Sequence, residues 1–236
     1  MPEDRAATGI DGFDNLIEGG FPTGSLILVA GNAGSGKTVF AAQFLYCGLS
    51  RHNERGVYVS FAEDRKTFLS NMKKLNMDFE KYENDGVFTF LDLITAREEA
   101  VQTMIQTILT EVNDINAKRL VIDPFTALMQ AIHDKIDARI LLHTILWKMA
   151  HQTNVTTFLI SEKPLGFETR SPEVEEFVCD GVVSLNAYPE GGLLKRSLQV
   201  VKLRGTRVKT AMHNYDIDEH GIRLYSLPFS QGRPLR

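Results

Sequence analysis

The sequence predicts an α/β fold in which a mostly parallel central sheet is flanked by helices and continues into an antiparallel C-terminal extension. Three observations support this prediction. Apolar runs of strand length alternate with amphipathic helical stripes as far as residue 162. A glycine-rich turn, residues 31–38, lies between the first long apolar run and a helical segment. After residue 181 the helical pattern ends, and short strands follow, the first two joined by a hairpin turn.

The first predicted elements are a short helix and a buried strand. Apolar residues at helical spacing between residues 10 and 17 predict the helix, which Gly19 and Gly20 end. We expect this segment to pack over the edge of the sheet. Leu26–Ala30 is a continuous apolar run and predicts a strand, and Val39–Tyr46 predicts the helix that follows the glycine-rich turn.

The turn between that strand and helix reads G-N-A-G-S-G-K-T and fits the phosphate-binding P-loop pattern G-x-x-x-x-G-K-[ST]. Backbone N–H groups of such a loop meet phosphate oxygens, and the helix N-terminus adds a positive dipole. Lys37 is predicted to reach the β- and γ-phosphates, and the Thr38 hydroxyl to ligate Mg²⁺. The residues predicted to bind the nucleotide are Gly31, Asn32, Ala33, Gly34, Ser35, Gly36, Lys37, Thr38 and Val39.

The second predicted strand, Gly56–Phe61, runs into two carboxylates, Glu63 and Asp64. The C-terminal ends of parallel strands face the ligand crevice, so a carboxylate there can orient or deprotonate the water that attacks a γ-phosphate. For Glu63 this catalytic role and a place in the first turn of the next helix both remain open. For Asp64 we favour capping of the helix predicted over Arg65–Leu75.

A second motif follows two further predicted elements, a strand over residues 86–93 and a helix over residues 98–115. Residues 119–123 read R-L-V-I-D, an apolar strand that ends in an acid. This Walker B arrangement delivers one carboxylate beside Mg²⁺, so Asp123 and Thr38 are the predicted metal residues. A helix over residues 137–151 and a strand over residues 155–161 complete the alternating part.

The C-terminal part is predicted to extend the same sheet with antiparallel strands. These strands are expected over residues 181–187, 194–203, 211–215 and 222–225, with a hairpin turn at Pro189–Gly192. A mobile loop is expected over residues 163–172 and a flexible tail over residues 228–236. Since we find no linker and no internal repeat, we predict one domain, residues 1–236.

Composition restricts the function classes. Apolar residues make up 43% of the chain, enough for a substantial core, and the net charge of −4 gives no overall electrostatic case for nucleic acid. Cys47 and Cys179 are far apart in sequence and suggest neither a disulfide framework nor a zinc site. No apolar stretch is long enough to span a membrane, so we expect a cytoplasmic protein with no membrane partner.

Several segments together resemble the KaiC-like ATPases, which belong to the RecA superfamily of P-loop NTPases. They read T-G-I-D-G-F-D-N-L-I-E-G-G-F-P-T-G-S, V-S-F-A-E-D, L-V-I-D-P-F-T-A-L, E-E-F-V-C-D-G-V-V-S-L, L-K-R-S-L-Q-V-V-K-L-R-G-T and Y-D-I-D-E-H-G-I-R-L-Y. The resemblance implies a RecA-like fold, ATP bound with Mg²⁺, and a homo-oligomeric, hexameric ring with ATP between subunits. It also implies that Lys202 and Arg204, in K-L-R-G-T, reach the neighbouring subunit's ATP and assist catalysis there. The alternative is that both residues lie on a solvated strand face.

Two departures from that family matter. Its members commonly carry two adjacent glutamates after the second strand, where this chain has Ala62 and Glu63. Hydrolysis is therefore expected to be slow or to depend on Glu63. The circadian-clock members also carry two such domains and phosphorylate themselves, and neither property is transferred to this chain.

The preferred function is a Mg²⁺-dependent ATPase that acts as a regulatory switch, with an unidentified protein partner left open. The alternative is a DNA-binding recombinase or repair relative of the RecA/RadA type. The basic residues that would favour it lie between Lys195 and Lys209, and alternating strand faces split them. A small-molecule kinase would need an acceptor pocket and a lid, which the sequence does not indicate.

Overall fold

The computed structural model describes residues 4–93, 99–130, 132, 140, 145–162 and 178–228. Its strands are β1 (Arg5–Ala6), β2 (Phe21–Pro22), β3 (Leu26–Gly31), β4 (Gly56–Ser60), β5 (Phe88–Asp92), β6 (Arg119–Asp123), β7 (Thr156–Glu162), β8 (Gly181–Glu190), β9 (Leu193–Leu203), β10 (His213–Asp218) and β11 (Gly221–Pro228). Its α-helices are α1 (Lys37–Cys47), α2 (Arg65–Lys74), α3 (Phe79–Asn84), α4 (Glu99–Asp114), α5 (Phe125–Gln130) and α6 (Lys148–Thr153). A 3₁₀ helix covers Asp14–Leu16, and a π-helical turn covers Gly48–His52.

Nine of these strands form one sheet in the order β11-β10-β9-β8-β3-β7-β6-β4-β5. The six strands from β8 to β5 in that order are parallel, and β9, β10 and β11 extend the sheet antiparallel from β8. The predicted architecture, a mostly parallel sheet with an antiparallel C-terminal extension, is therefore confirmed. The P-loop strand β3 lies in the middle of the sheet, where both of its faces are buried.

The two faces of the sheet carry separate apolar clusters. On one face α1 packs on β7, and the Phe44 and Phe158 rings stack with their centroids 3.9 Å apart. On the other face α4 packs through Val101 and Ile108.

The N-terminal segment was expected at the edge of the sheet, and it reaches both the edge and the middle. At the edge strand β11, the Leu224 N–H donates to the Asp11 carbonyl at 3.0 Å. Phe21 meets Phe158 of the central strand β7 edge-on at 5.2 Å, so the segment covers the middle of the α1 face.

The differences between predicted and observed elements have local causes. The helices α3 and α5 were not predicted, because six residues show too little of a 3.6-residue period. The 3₁₀ turn replaces the short helix predicted at the N-terminus. The hairpin between β8 and β9 turns at Gly191 and Gly192, both with positive φ, as a two-residue turn of this kind requires.

Some predictions concern residues outside the described part of the chain. These are the mobile loop of residues 163–172, most of the helix of residues 137–151, and residues 229–236 of the predicted tail. Within the described ranges, no helix has the length and apolarity needed to cross a bilayer.

Candidate functional site

The P-loop lies where β3 meets α1, at the C-terminal end of the parallel strands. Gly36 precedes the helix with φ +80°, and a Cβ atom there would stand 2.4 Å from Cδ1 of Ile217. A Cβ on Gly31 would stand 2.3 Å from the carbonyl oxygen of Leu185. The motif therefore needs these two glycines because β8 and β10 approach the loop closely.

The C-terminal strands hold this loop in place through hydrogen bonds that sequence reasoning missed. The Asn32 side chain donates to the Ala187 carbonyl at 2.7 Å and accepts from the Ala187 N–H at 2.8 Å. The Tyr215 hydroxyl donates to the carbonyl of Ser35, and Arg196 Nε donates to the carbonyl of Gly34 at 2.9 Å. These three contacts join the loop to β8, β9 and β10, none of which is near the loop in sequence.

Lys37 points its ammonium group back over the loop. Its Nζ donates to the Asn32 carbonyl at 3.0 Å. Burial lowers the pKa of Lys37, and the carboxylates of Glu162 and Asp123 partly oppose that shift. The predicted phosphate-binding cation thus stands beside two acids in a partly desolvated site.

The two predicted metal residues are adjacent. Thr38 Oγ1 donates to Asp123 Oδ2 at 2.8 Å. The Tyr58 hydroxyl donates to the same oxygen at 2.5 Å, a contact that sequence reasoning missed. Burial raises the pKa of Asp123, while both hydrogen bonds and the charge of Lys37 act to lower it.

The two acids that follow β4, Glu63 and Asp64, have different surroundings in the structure. Ser60 Oγ accepts from the Glu63 N–H at 2.9 Å, and it donates to the Glu63 carbonyl at 2.7 Å. Glu63 Oε1 accepts a hydrogen bond from Asn71 at 2.8 Å, and burial raises the pKa of the Glu63 carboxyl group. Asp64 instead accepts from the Thr67 N–H at 3.0 Å, so its predicted role as the N-cap of α2 is confirmed.

A cavity of about 190 Å³ brings these groups together. It is lined by Gly34, Gly36, Lys37, Thr38, Tyr58, Ser60, Ala62, Glu63, Asp123, Pro124 and Glu162. Such a lining offers a helix N-terminus and one cation to phosphate oxygens, with carboxylates and hydroxyls for a metal ion and a water molecule.

The oxygen groups in this cavity fit Mg²⁺. Mg²⁺ prefers oxygen ligands and usually keeps several waters, so one or two protein groups and the substrate phosphates are enough to hold it. The adjacent hydroxyl of Thr38 and carboxylate of Asp123 are of this kind. Within the described residues, no three His, Cys, Asp or Glu side chains are grouped as an all-protein metal site would require.

Lys202 and Arg204 lie toward the end of the parallel strands that is opposite the P-loop. Gly31 pairs with Leu185 and Leu185 with Leu198, so Leu198 of β9 stands level with the start of the P-loop. Lys202 lies four residues along β9 from that level, about 13 Å away, and Arg204 lies about 20 Å away at about 3.3 Å per residue. The structure therefore does not bring these two residues to the P-loop of their own chain.

The surroundings of Arg204 differ from those expected of a strand residue. β9 ends at Leu203, so Arg204 follows the strand, and the alternation of side chains along a strand does not decide on which face Arg204 lies. Arg204 Nη1 stands 3.5 Å from Asp180 Oδ1, and its side chain is 57% exposed. Arg204 and Asp180 line an open cavity of about 900 Å³ that holds none of the P-loop residues.

Comparisons with known proteins agree with this geometry. The family model described as "ATPase: KaiC" matches residues 6–228. A UPF0273 protein of Pyrococcus furiosus is 34% identical over 235 residues, which cover 94% of each chain. A UPF0273 protein of Methanocaldococcus jannaschii is 35% identical over 238 residues, which cover 94% of this chain and 96% of that one.

Two further relatives connect the chain to KaiC itself. The circadian clock oscillator protein KaiC of Synechococcus elongatus is 33% identical over 237 residues, and the match covers 94% of this chain but only 44% of KaiC. The crystal structure of a KaiC-like protein from Pyrococcus horikoshii superimposes with a TM-score of 0.84 at 36% identity, covering 95% of this chain and all of that one. None of the relatives named here is described as a recombinase. With its RecA-like sheet and P-loop, the chain belongs to the KaiC-like family of ATPases.

Proposed function

We propose that this chain binds ATP with Mg²⁺ and hydrolyses it slowly, as a subunit of a hexameric ring that acts as a regulatory switch in the cytoplasm. One observation carries the proposal. Lys37, Thr38 and Asp123 meet in one cavity with Glu63, although Asp123 stands 85 residues from Thr38 in sequence. Membership of an ATPase family supports the same reaction.

In this proposal the P-loop binds the triphosphate. Residues 31–39 offer backbone N–H groups, and Lys37 supplies a positive charge to the β- and γ-phosphates. When bound, Mg²⁺ neutralises charge that develops on the transferring phosphoryl group. Thr38 and Asp123 would hold it, the first through its hydroxyl and the second through its carboxylate.

Glu63 is the group proposed to orient and deprotonate the attacking water. Its carboxylate lines the cavity, and its main chain is tied on both sides to Ser60 Oγ. Its raised pKa moves its basicity toward that of an efficient general base. Ala62 supplies no second carboxylate, which is why we propose that turnover is slow.

A ring would bring two cations of a neighbouring subunit, Lys202 and Arg204, to the ATP site. Lys202 lies about 13 Å along β9 from the level of its own P-loop, and Arg204, just past the end of β9, lies about 20 Å from that level. We therefore assign both residues to the ATP of a neighbouring subunit. Cations supplied in trans stabilise the transferring phosphoryl group, by about 10³- to 10⁵-fold for arginine fingers. ATP then forms part of the interface, and nucleotide promotes assembly by mass action.

The test compares the wild-type chain with Lys37→Ala. We expect ATP-dependent growth of the complex by light scattering, and slow phosphate release, in the wild type. In Lys37→Ala, turnover should fall by about 10²-fold or more, with thermal unfolding unchanged. Lys66→Ala, an exposed lysine on α2, is the matched control and should behave as wild type. Equal ATP binding and turnover in a folded Lys37→Ala variant would refute the assignment.

A gel-shift assay at several salt concentrations distinguishes the proposed ATPase function from a DNA-binding function. Binding dominated by phosphate contacts must weaken steeply as salt increases. Our proposal expects no shift at physiological ionic strength. A salt-sensitive shift there would favour the recombinase alternative.

A further inference from the structure

The hydroxyl of Tyr58 is placed where a packing residue would not need one. Tyr58 is 1% exposed, and its ring centroid lies 4.4 Å from that of Phe68 and 5.5 Å from that of the nearly parallel Phe90 ring. A phenylalanine would fill this space equally well. The tyrosine hydroxyl instead extends to the edge of the cavity and meets Asp123 Oδ2 at 2.5 Å.

Hydrogen bonds hold the backbone carbonyl of Asp123 and one of its two carboxylate oxygens. Its backbone carbonyl accepts from the Phe61 N–H at 2.9 Å. Its Oδ2 atom receives the hydroxyls of both Tyr58 and Thr38, at 2.5 and 2.8 Å. Among the described residues, no hydrogen bond reaches Oδ1. Two donors on one oxygen fix the rotation of the carboxylate and leave the other oxygen for an outside ligand.

Of these two donors, Tyr58 has the more constant position. The Thr38 hydroxyl is also a proposed ligand of Mg²⁺, so its orientation depends on whether the metal is bound. Tyr58 is not a proposed metal ligand, and its ring packs against the rings of Phe68 and Phe90. Partners of this kind orient metal ligands, and their loss typically costs about 10- to 100-fold in metal affinity.

We propose that Tyr58 is a positioning residue for the Mg²⁺ site: its hydroxyl fixes the carboxylate of Asp123 and leaves Oδ1 for Mg²⁺ or a water molecule that Mg²⁺ would bring. This inference rests on the proposed function, since it assumes that ATP binds here with Mg²⁺. It adds a residue that neither the P-loop nor the acid-ended strand motif contains. It also explains why a polar atom lies at the end of a wholly apolar aromatic stack.

The test is Tyr58→Phe, which removes one oxygen and keeps the ring. Mn²⁺ serves as the metal probe, and its binding in the presence of ATP is followed by electron paramagnetic resonance. The Mn²⁺ concentration that half-saturates the site should be about 10-fold higher in Tyr58→Phe than in the wild type. Nucleotide binding in EDTA, which needs no metal, should match that of the wild type. Tyr82→Phe is the control, because Tyr82 packs on Tyr46 outside the cavity.

The outcomes separate the alternatives. A merely structural role predicts a lower unfolding temperature and an equal loss of metal-free nucleotide binding, which would overturn the proposal. Wild-type Mn²⁺ affinity in Tyr58→Phe would overturn it as well. In an Asp123→Ala background, Tyr58→Phe should cause no further loss, since its target is gone. If the wild-type chain binds ATP with no metal dependence, the proposed function itself fails, and this is seen before any variant is compared.

Discussion

The substitution Asn32→Ala tests whether the C-terminal strands hold the P-loop in its binding conformation. β3 ends at Gly31, so β8 loses its partner on that side beyond Leu185. The Asn32 side chain replaces the missing strand, since its amide satisfies both the N–H and the carbonyl of Ala187. Alanine would leave these two backbone groups, in a residue that is 3% exposed, without their partner.

The magnitude follows from these two hydrogen bonds. Each contributes about 1 kcal/mol net, so the free energy of unfolding should fall by about 2 kcal/mol. For a chain of this size, that corresponds to a decrease of about 4–8 °C in unfolding temperature. The loosened loop must also be ordered when nucleotide binds. A cost of about 1.4 kcal/mol for that ordering would weaken ATP binding tenfold.

The assay combines thermal unfolding, followed by circular dichroism, with equilibrium binding of a fluorescent ATP analogue. Asn186→Ala is the matched control, because Asn186 is the preceding residue on β8 and makes one long hydrogen bond, 3.4 Å, to Ser184. Asn186→Ala should lower the free energy of unfolding by about 0.5 kcal/mol or less. If Asn32→Ala is as stable as Asn186→Ala and binds the analogue with wild-type affinity, the anchoring role is refuted.

Three further predictions concern the proposed chemistry. Glu63→Gln should lower turnover by about 10²-fold or more while nucleotide binding is kept; unaffected turnover would leave Glu63 without a catalytic role. In the wild type, turnover should also decline as the pH falls through a Glu63 pKa above the ordinary 4.5, because the protonated carboxyl group accepts no proton. A pH–rate profile with no acid limb above that value would contradict this. Finally, subunits lacking Lys37 should regain activity when mixed with Arg204→Ala subunits, as measured in rings shown to be mixed; a fully active Arg204→Ala homomer would exclude the trans role.

The sequence predicts those parts of the fold and of the candidate site that depend on local residue patterns. The strands β3, β4 and β6 are continuous apolar runs, and each leads into a residue of the candidate site. A parallel sheet brings the ends of such strands to one edge, so the meeting of Thr38 with Asp123 could be expected before the structure was known.

The parts that sequence could not predict depend on register and packing. Tyr58 resembles any other aromatic residue of a buried strand until β4 and β6 are paired with Ser60 opposite Asp123. The contact between Asn32 and Ala187 spans 155 residues and depends on where β3 happens to end. The contact of Phe21 with Phe158 of β7 was not predicted for the same reason, because apolar residues in the N-terminal segment indicate burial without indicating which strand they cover.

The strand β9 runs from the P-loop to the opposite end of the parallel strands, and the proposed function uses residues near both of its ends. Near its start, Arg196 holds the carbonyl of Gly34 in the P-loop. About 26 Å farther along the same strand direction, just past the end of β9, Arg204 lies beside Asp180. β9 is bonded to β8 over nearly its full length, with one irregularity between the pairs of Val182 and Val183, so its two ends cannot shift independently without breaking that ladder. Under the proposed function, the strand that contacts a subunit's own P-loop would end one residue before the cation assigned to its neighbour's ATP, so nucleotide binding and ring assembly would share a structural element.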